Sequence, residues 1–180
     1  MSSSIISATK YWLETIVIGF NFCPFAKREF VRNSIQYQTV ESVTLEDALY
    51  QLLDSMKALD SDPSIETTLL IFSRGFNKFD DYLDLLELSN QLLVDEGYEG
   101  TYQLASFHPN YCFEGVDEDD ASNYTNRSPY PILHLLREES LEKVLDNIEH
   151  PESIPERNIE LAQQKGRAFF EKILEKSFHQ

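Results

Sequence analysis

Residues 67–72 read Thr67-Thr68-Leu69-Leu70-Ile71-Phe72, a short apolar, partly β-branched run without a charge. Such a run is the mark of a strand buried on both faces. Its flanks decide what sheet it belongs to. Upstream, Leu45, Ala48, Leu49, Leu52, Leu53, Met56 and Leu59 keep a helical stripe. Thr44 precedes the stripe as an N-cap, with Asp47 at the third helical position, and Asp60-Ser61-Asp62-Pro63 ends it. Further back, Ile35, Tyr37 and Thr39 alternate with Gln36, Gln38 and Val40, which predicts a strand over 35–40. Downstream, Phe79, Tyr82, Leu83, Leu86, Leu92 and Leu93 predict a helix over about 79–96, with Gly97 as its stop. Thr101 to Phe107 is again a strand. The order strand–helix–strand–helix–strand favours parallel pairing through crossover helices.

The ends of the chain add helices. Residues 7–19 place Ala8, Tyr11, Trp12, Thr15, Ile16 and Gly19 near one helical face. Pro24 disfavours helical geometry at Cys23 but suits a first helical position, so Cys23 is expected as the N-cap of a short helix to about Phe30. From His108 to Pro131 no regular element is expected. Loops beyond about 12–15 residues are uncommon and usually functional or disordered. This one holds His108, Asn110, Tyr111, Cys112, Asn126 and Arg127 and is not low in complexity, which favours function. Ile132 to Arg137 reads as a fourth strand, followed by a helix from a Ser140 cap to Ile148 and a last helix from Pro155 to about Lys176. The expectation is an α/β (or α+β) chain, one domain over 1–180. It has about four strands in a largely parallel or mixed sheet, packed by helices that include the N- and C-terminal ones.

The chain has 180 residues, 31 acidic and 15 basic, and a net charge of −16. With 42% hydrophobic residues it has the composition of a globular domain rather than of a disordered one. The charge argues against a broad phosphate-backbone interface, so no nucleic-acid partner is expected, and against an anionic membrane surface. No apolar run reaches the roughly 18 residues of a membrane span. The segment Met1 to Ser7 lacks the basic and apolar regions of a signal peptide, which predicts a cytoplasmic protein. Two cysteines in unlike contexts, Cys23 and Cys112, suit a reducing compartment better than a disulfide framework. The sequons at Asn123 and Asn126 are read as chance.

Chemistry-bearing residues gather in the irregular segments. Cys23, followed by Lys27 and Arg28, is a candidate nucleophile or redox thiol, since a helix start and nearby cations favour a thiolate. The competing interpretation is an inert cysteine buried between Phe22 and Phe25. His108, expected at the C-terminal end of an inner strand, is a candidate base, or a metal ligand with His134. Two distant histidines are weak metal evidence, and no metal site is expected. Arg127 offers a planar fork for an anion, with Asn126 and Ser128 as neutral partners, or else ties the loop to an acidic residue among 117–120. Lys27, Asn110 and His134 complete the candidate ligand-binding set, although His134 alternates with apolar neighbours as a core residue would. The acidic run 117–120 lacks calcium-loop spacing and is expected as a solvated tip, and no glycine-rich phosphate loop is present.

Three segments together resemble the family known as domain of unknown function 1415, found in bacterial and plant proteins. They are Trp12-Leu13-Glu14 leading to Asn21-Phe22-Cys23-Pro24-Phe25-Ala26-Lys27; Ala105-Ser106-Phe107-His108-Pro109-Asn110-Tyr111; and Thr125-Asn126-Arg127-Ser128-Pro129-Tyr130-Pro131 with His134-Leu135-Leu136-Arg137-Glu138. The resemblance covers nearly the whole chain in order. It implies no reaction, and Cys112 stands where such proteins often carry another residue, so it is not paired with Cys23. The tetrapeptide Cys23-Pro24-Phe25-Ala26 alone also resembles the active-site start of omega-type glutathione transferases and related thiol oxidoreductases.

The leading functional expectation is an enzyme acting on a small molecule, with Cys23 as nucleophile or redox thiol, His108 as base and Arg127 as anion clamp. A non-catalytic module for a small anionic ligand is the alternative, with a thiol oxidoreductase and a partner-binding scaffold behind it. No motif names a cofactor, and neither substrate nor oligomeric state is legible.

Overall fold

Strand β2 (Thr67–Phe72) is buried along its whole length. In the computed structural model, which describes residues 2–41 and 44–180, it lies inside a four-stranded sheet with β1 (Ile35–Val40), β3 (Tyr102–Phe107) and β4 (Ile132–Arg137). The strand order is β1-β2-β4-β3. β1 and β2 pair in parallel, and β4 runs antiparallel to both of its neighbours. The first three strands therefore point the same way, as their helical crossovers require. The sheet is mixed because β4 inserts between β2 and β3.

That insertion corrects one expectation: β3, and with it His108, lies at the edge of the sheet. The physical reason is composition. β4 carries Ile132, Leu133, Leu135 and Leu136, apolar on both faces, and an inner position covers both. β3 carries Gln103, Ala105 and Ser106, has less to bury, and tolerates the edge.

Helices close both faces. On one side α3 (Leu45–Ser61) and α4 (Phe79–Asp95) bring Leu52, Met56, Tyr82 and Leu85 onto Leu70, Phe72, Leu133 and Leu135. The Thr44 hydroxyl accepts the Asp47 N–H at 3.2 Å, so the predicted cap is in place. On the other side α1 (Ser2–Trp12), α6 (Ile154–Lys165) and α7 (Arg167–Ser177) bring Trp12, Ala162 and Phe170 onto Leu69, Ile71 and Ile132.

Other departures are local. The N-terminal helix continues from α1 as a π-helical segment, Leu13–Ile18. Gly19 closes it because a Cβ there would lie 2.4 Å from the Thr15 carbonyl oxygen. Cys23 is not the N-cap of a helix: α2 spans Ala26–Arg32, and Cys23 precedes it in a turn whose carbonyl accepts the Ala26 N–H at 3.2 Å. The helix after β4, α5, spans Glu138–Leu145 and starts straight from the strand without a serine cap. The predicted last helix is two, because Gly166, at φ 79°, takes a conformation that ends α6.

The segment 108–131 contains a single 3-10 helix, Ala121–Thr125, among its described residues. Buried Asn123 organises it. Its Nδ2 donates to the Asp117 carbonyl and its Oδ1 accepts the Phe113 N–H. Among the described residues no helix is long and apolar enough to cross a membrane.

Candidate functional site

The three segments singled out in the sequence converge between β3, the π-helical segment and α6, but largely through residues next to those expected. An outer cleft of about 510 Å³ is lined by Cys23, Ala105, Phe107, Thr125, Asn126 and Asn158, among others. Behind it lies an apolar chamber of about 30 Å³, bordered by Trp12, Phe25, Thr67, Leu69 and His134. Cys23, Val17 and Phe107 line both spaces and form the partition between them.

The π-helical segment sets that partition. Leu13 and Val17 face the chamber, and the chain leaves Gly19 through Asn21, at φ 54°, to bring Phe22 and Cys23 back under the sheet. Two bonds hold the return: the Phe22 N–H donates to the Val17 carbonyl at 2.8 Å, and Asn158 Nδ2 donates to the Phe22 carbonyl at 2.8 Å. π-Helical turns concentrate at functional sites.

Cys23 is a free thiol, half-buried. Burial pushes its pKa up, against the smaller opposing effect of the nearby Phe25 and Ala26 backbone N–H groups. The resting group is thus a neutral thiol. The cations expected to activate it do not contribute: Lys27 is exposed on α2 and borders neither space, and Arg28 pairs with buried Glu29 at 3.2 Å.

His134 sits on inner strand β4, opposite Leu69 of β2 and Ala105 of β3. Thr67 Oγ1 donates its one hydrogen to the Leu135 carbonyl at 2.6 Å. It must therefore accept from His134 Nε2 at 2.7 Å, which fixes the Nε2–H tautomer. Nδ1 is left as an acceptor, with no hydrogen-bond partner among the described residues. Burial pushes the pKa of this imidazole down to about 4, so it is neutral near pH 7.

His108 is placed apart from Cys23. Strand alternation turns Phe107 toward Trp12 and the chamber, and turns His108 to the opposite face against Phe79 and Tyr82. There it is fully buried. Nδ1 accepts the Asn110 N–H at 3.0 Å, and Nε2 donates to the Phe76 carbonyl at 2.9 Å. Both nitrogens are occupied in tying the loop to the residues after β2, and burial lowers the pKa. The proposed unit of Cys23, His108 and Arg127 is therefore not assembled. His108 and His134 lie on opposite faces of the sheet and do not share a metal site. Among the described residues no group of three or more His, Cys, Asp or Glu side chains is placed to hold a metal ion.

Arg127 ties down the loop through carbonyl groups rather than carboxylates. Nε donates to Tyr111 O at 3.0 Å, one terminal nitrogen donates to Glu118 O at 2.8 Å, and the guanidinium lies 4.7 Å from the Tyr124 ring centre. With Asn110 it borders a separate polar cleft that also holds Asp80, Glu118, Asp119 and Arg167. The acidic run is likewise employed: Asp120 caps the 3-10 helix at Ser122 N, and Asp119 pairs with Arg167. Buried Ser128 donates to Tyr130 O at 2.6 Å and shapes the turn into β4. Asn126 does reach the cleft, with Nδ2 donating to the Ser106 carbonyl at 3.1 Å and Oδ1 accepting from Thr125 Oγ1.

Sequence reasoning missed Thr67, Ala105, Phe107 and Asn158. Ala105 and Phe107 carried a usable signal, since period-two alternation puts 103, 105 and 107 on one face of β3, and Thr67 shares a face of β2 with Leu69 and Ile71 by the same rule. Asn158 carried none, because its place depends on how α6 docks. The tetrapeptide likeness to thiol oxidoreductases also loses its context: Cys23 follows a helical segment and precedes every strand, whereas the cysteine of those proteins follows a strand and opens a helix.

A family model described as "Protein of unknown function (DUF1415)" matches residues 4–172, nearly the whole chain, and the chain belongs to that family. Comparison with curated proteins and with solved structures finds no match.

Proposed function

We propose, from membership of a family that carries no assigned reaction, that the chain binds an uncharged small molecule in the cleft behind which Cys23 stands. One observation carries this. Charged residues make up 26% of the chain, yet among the described residues no Asp, Glu, Lys or Arg lines either the cleft or the chamber. The cleft's size lies within the range of about 300–1,000 Å³ usual for small-molecule sites. Its apolar walls, interrupted by the amides of Gln103, Asn126 and Asn158, suit a flat or branched apolar body with one or two neutral polar groups.

The earlier expectation of an anionic ligand loses its support, because Arg127 and Lys27 border neither space and the chain as a whole repels anions. The neutral thiol at Cys23 favours recognition over a resting thiolate nucleophile. Free thiols at Cys23 and Cys112 agree with a reducing compartment such as the cytoplasm.

The experiment compares N-phenyl-1-naphthylamine, an uncharged dye whose emission rises in apolar sites, with its sulfonated relative. The neutral dye binds the wild type and the sulfonate at least tenfold more weakly. Ala105→Trp, which fills the cleft, abolishes neutral-dye binding at unchanged melting temperature. Equal binding of both dyes, or full binding by Ala105→Trp, overturns the proposal.

A further inference from the structure

We infer that Cys23 and His134 form a thiol–imidazole pair that adds the Cys23 sulfur to an uncharged carbon electrophile seated in the cleft, His134 Nδ1 taking the thiol proton. The inference rests on the cleft as a small-molecule site and assigns it a reaction class. Its warrant is geometric. The two side chains bound one chamber of about 30 Å³, room for about two waters where one needs about 10–15 Å³. Cys23 opens on the cleft as well, so a ligand's carbon reaches the sulfur from that side, while on the other side the chamber that Cys23 and His134 share has room for a water to carry the thiol proton to Nδ1.

His134 is prepared for that role by Thr67. With the Thr67 hydrogen spent on Leu135 O, the imidazole is held at Nε2, and Nδ1 keeps a free lone pair among the described residues. Thr67 acts through the imidazole and is a positioning residue. The backbone N–H groups of Phe25 and Ala26 beside Cys23 favour negative charge as it develops on the sulfur. His108 has neither freedom, since both its nitrogens are bonded.

The lining also selects the reaction. Among the described residues no charged side chain lines the site to stabilise an ionic leaving group, which favours addition without a leaving group. In addition to an α,β-unsaturated carbonyl, a bond forms between Sγ and the β-carbon as the carbon–carbon π bond breaks. That electron pair moves toward the carbonyl. The proton passes from sulfur through the chamber's water to Nδ1; the α-carbon, on the cleft side, takes its proton from solvent water, and the imidazolium returns one to water, so water is not consumed. Atoms and electrons balance within thiol and acceptor, and no co-reactant is consumed.

N-ethylmaleimide, a small neutral acceptor of this class, is the probe. Its second-order rate with Cys23 is measured by intact mass from pH 5 to 9 in a Cys112→Ser background. A pair of this kind gives a plateau above the His134 titration, because the base carries the reaction while the thiol is still protonated. His134→Gln removes the plateau, leaving a rate that climbs tenfold per pH unit and is about 100-fold lower at pH 7. Thr67→Ser keeps the plateau, and Thr67→Val loses it. A wild-type rate that climbs tenfold per pH unit throughout overturns the inference, even if no variant folds. So does a folded His134→Gln with the wild-type profile. A plateau without neutral-dye binding would sink the cleft as a ligand site and leave the pair standing, whereas dye binding without a plateau would sink the pair alone.

Discussion

Thr67 and His134 are joined across the sheet interior, hydroxyl to Nε2 at 2.7 Å, on the face that Leu69 and Ala105 share with them. A buried neutral histidine makes stability depend on pH. In the unfolded chain the imidazole titrates near 6.5, and in the folded chain near 4. Between those values the unfolded state binds more protons, so stability is complete above about pH 6.5 and falls as pH drops toward 4. The full loss is about 3 kcal/mol at most. Urea midpoints from pH 4 to 7 should show this fall in the wild type and a shallower one in His134→Gln. Buried His108, whose pKa is also lowered, supplies a remainder of the same sign. Parallel curves for wild type and His134→Gln would contradict the neutral assignment.

Tyr82 closes a gap in the β3–β4 ladder. Its hydroxyl donates to the Ile132 carbonyl at 2.7 Å and accepts the Phe107 N–H at 3.1 Å, in full burial. Tyr82→Phe leaves one backbone donor and one acceptor unpaired and should cost about 2–6 kcal/mol, from about 1–3 for each orphaned group. Phe107 lines the cleft, so dye affinity should fall with stability. A denaturation midpoint within error of wild type would show that water reaches both groups.

Gly19 is needed by backbone geometry rather than by a turn of positive φ. The 2.4 Å approach of an added Cβ to Thr15 O cannot be relieved by a side-chain rotation, because the obstacle is main chain. Gly19→Ala should destabilise by about 1–3 kcal/mol through forced backbone shift. It should also change the N-ethylmaleimide rate at Cys23, which the same segment positions. Calorimetry and the rate should move together. A loss of stability with an unchanged rate would separate the π-helical segment from the site.

Much of the scaffold was legible because it depends on local pattern. The strands 35–40, 67–72 and 132–137 and the Thr44 cap stand where alternation, apolar runs and capping put them. The position of β4 between β2 and β3 was not legible, because it is settled by which strand has two apolar faces to cover once both compete for the inner place. The site was legible by segment and not by residue. Cys23 and Asn126 do line the cleft, but at 107–108 the strand period exchanged a phenylalanine for a histidine, and only the tertiary structure says which face holds the space. His134 looked like a core residue because its neighbours are apolar, and the chamber beside it leaves no trace in sequence.

Arg127 is the sharpest separation between a structural and a ligand-binding arginine. Its guanidinium reaches Tyr111 O and Glu118 O at once, bridging the two ends of the loop before the 3-10 helix. A lysine has one ammonium group and cannot reproduce that fork. Arg127→Lys should therefore lower stability by about 1–3 kcal/mol, the range for hydrogen bonds from a charged donor. It should also speed limited proteolysis between residues 111 and 118. The neutral-dye affinity and the pH profile at Cys23 should stay as in the wild type, since Arg127 borders the other cleft. An anion clamp would behave in the opposite way: the loop would remain protected, and stabilisation by added phosphate or a dicarboxylate, present in the wild type, would vanish in the variant.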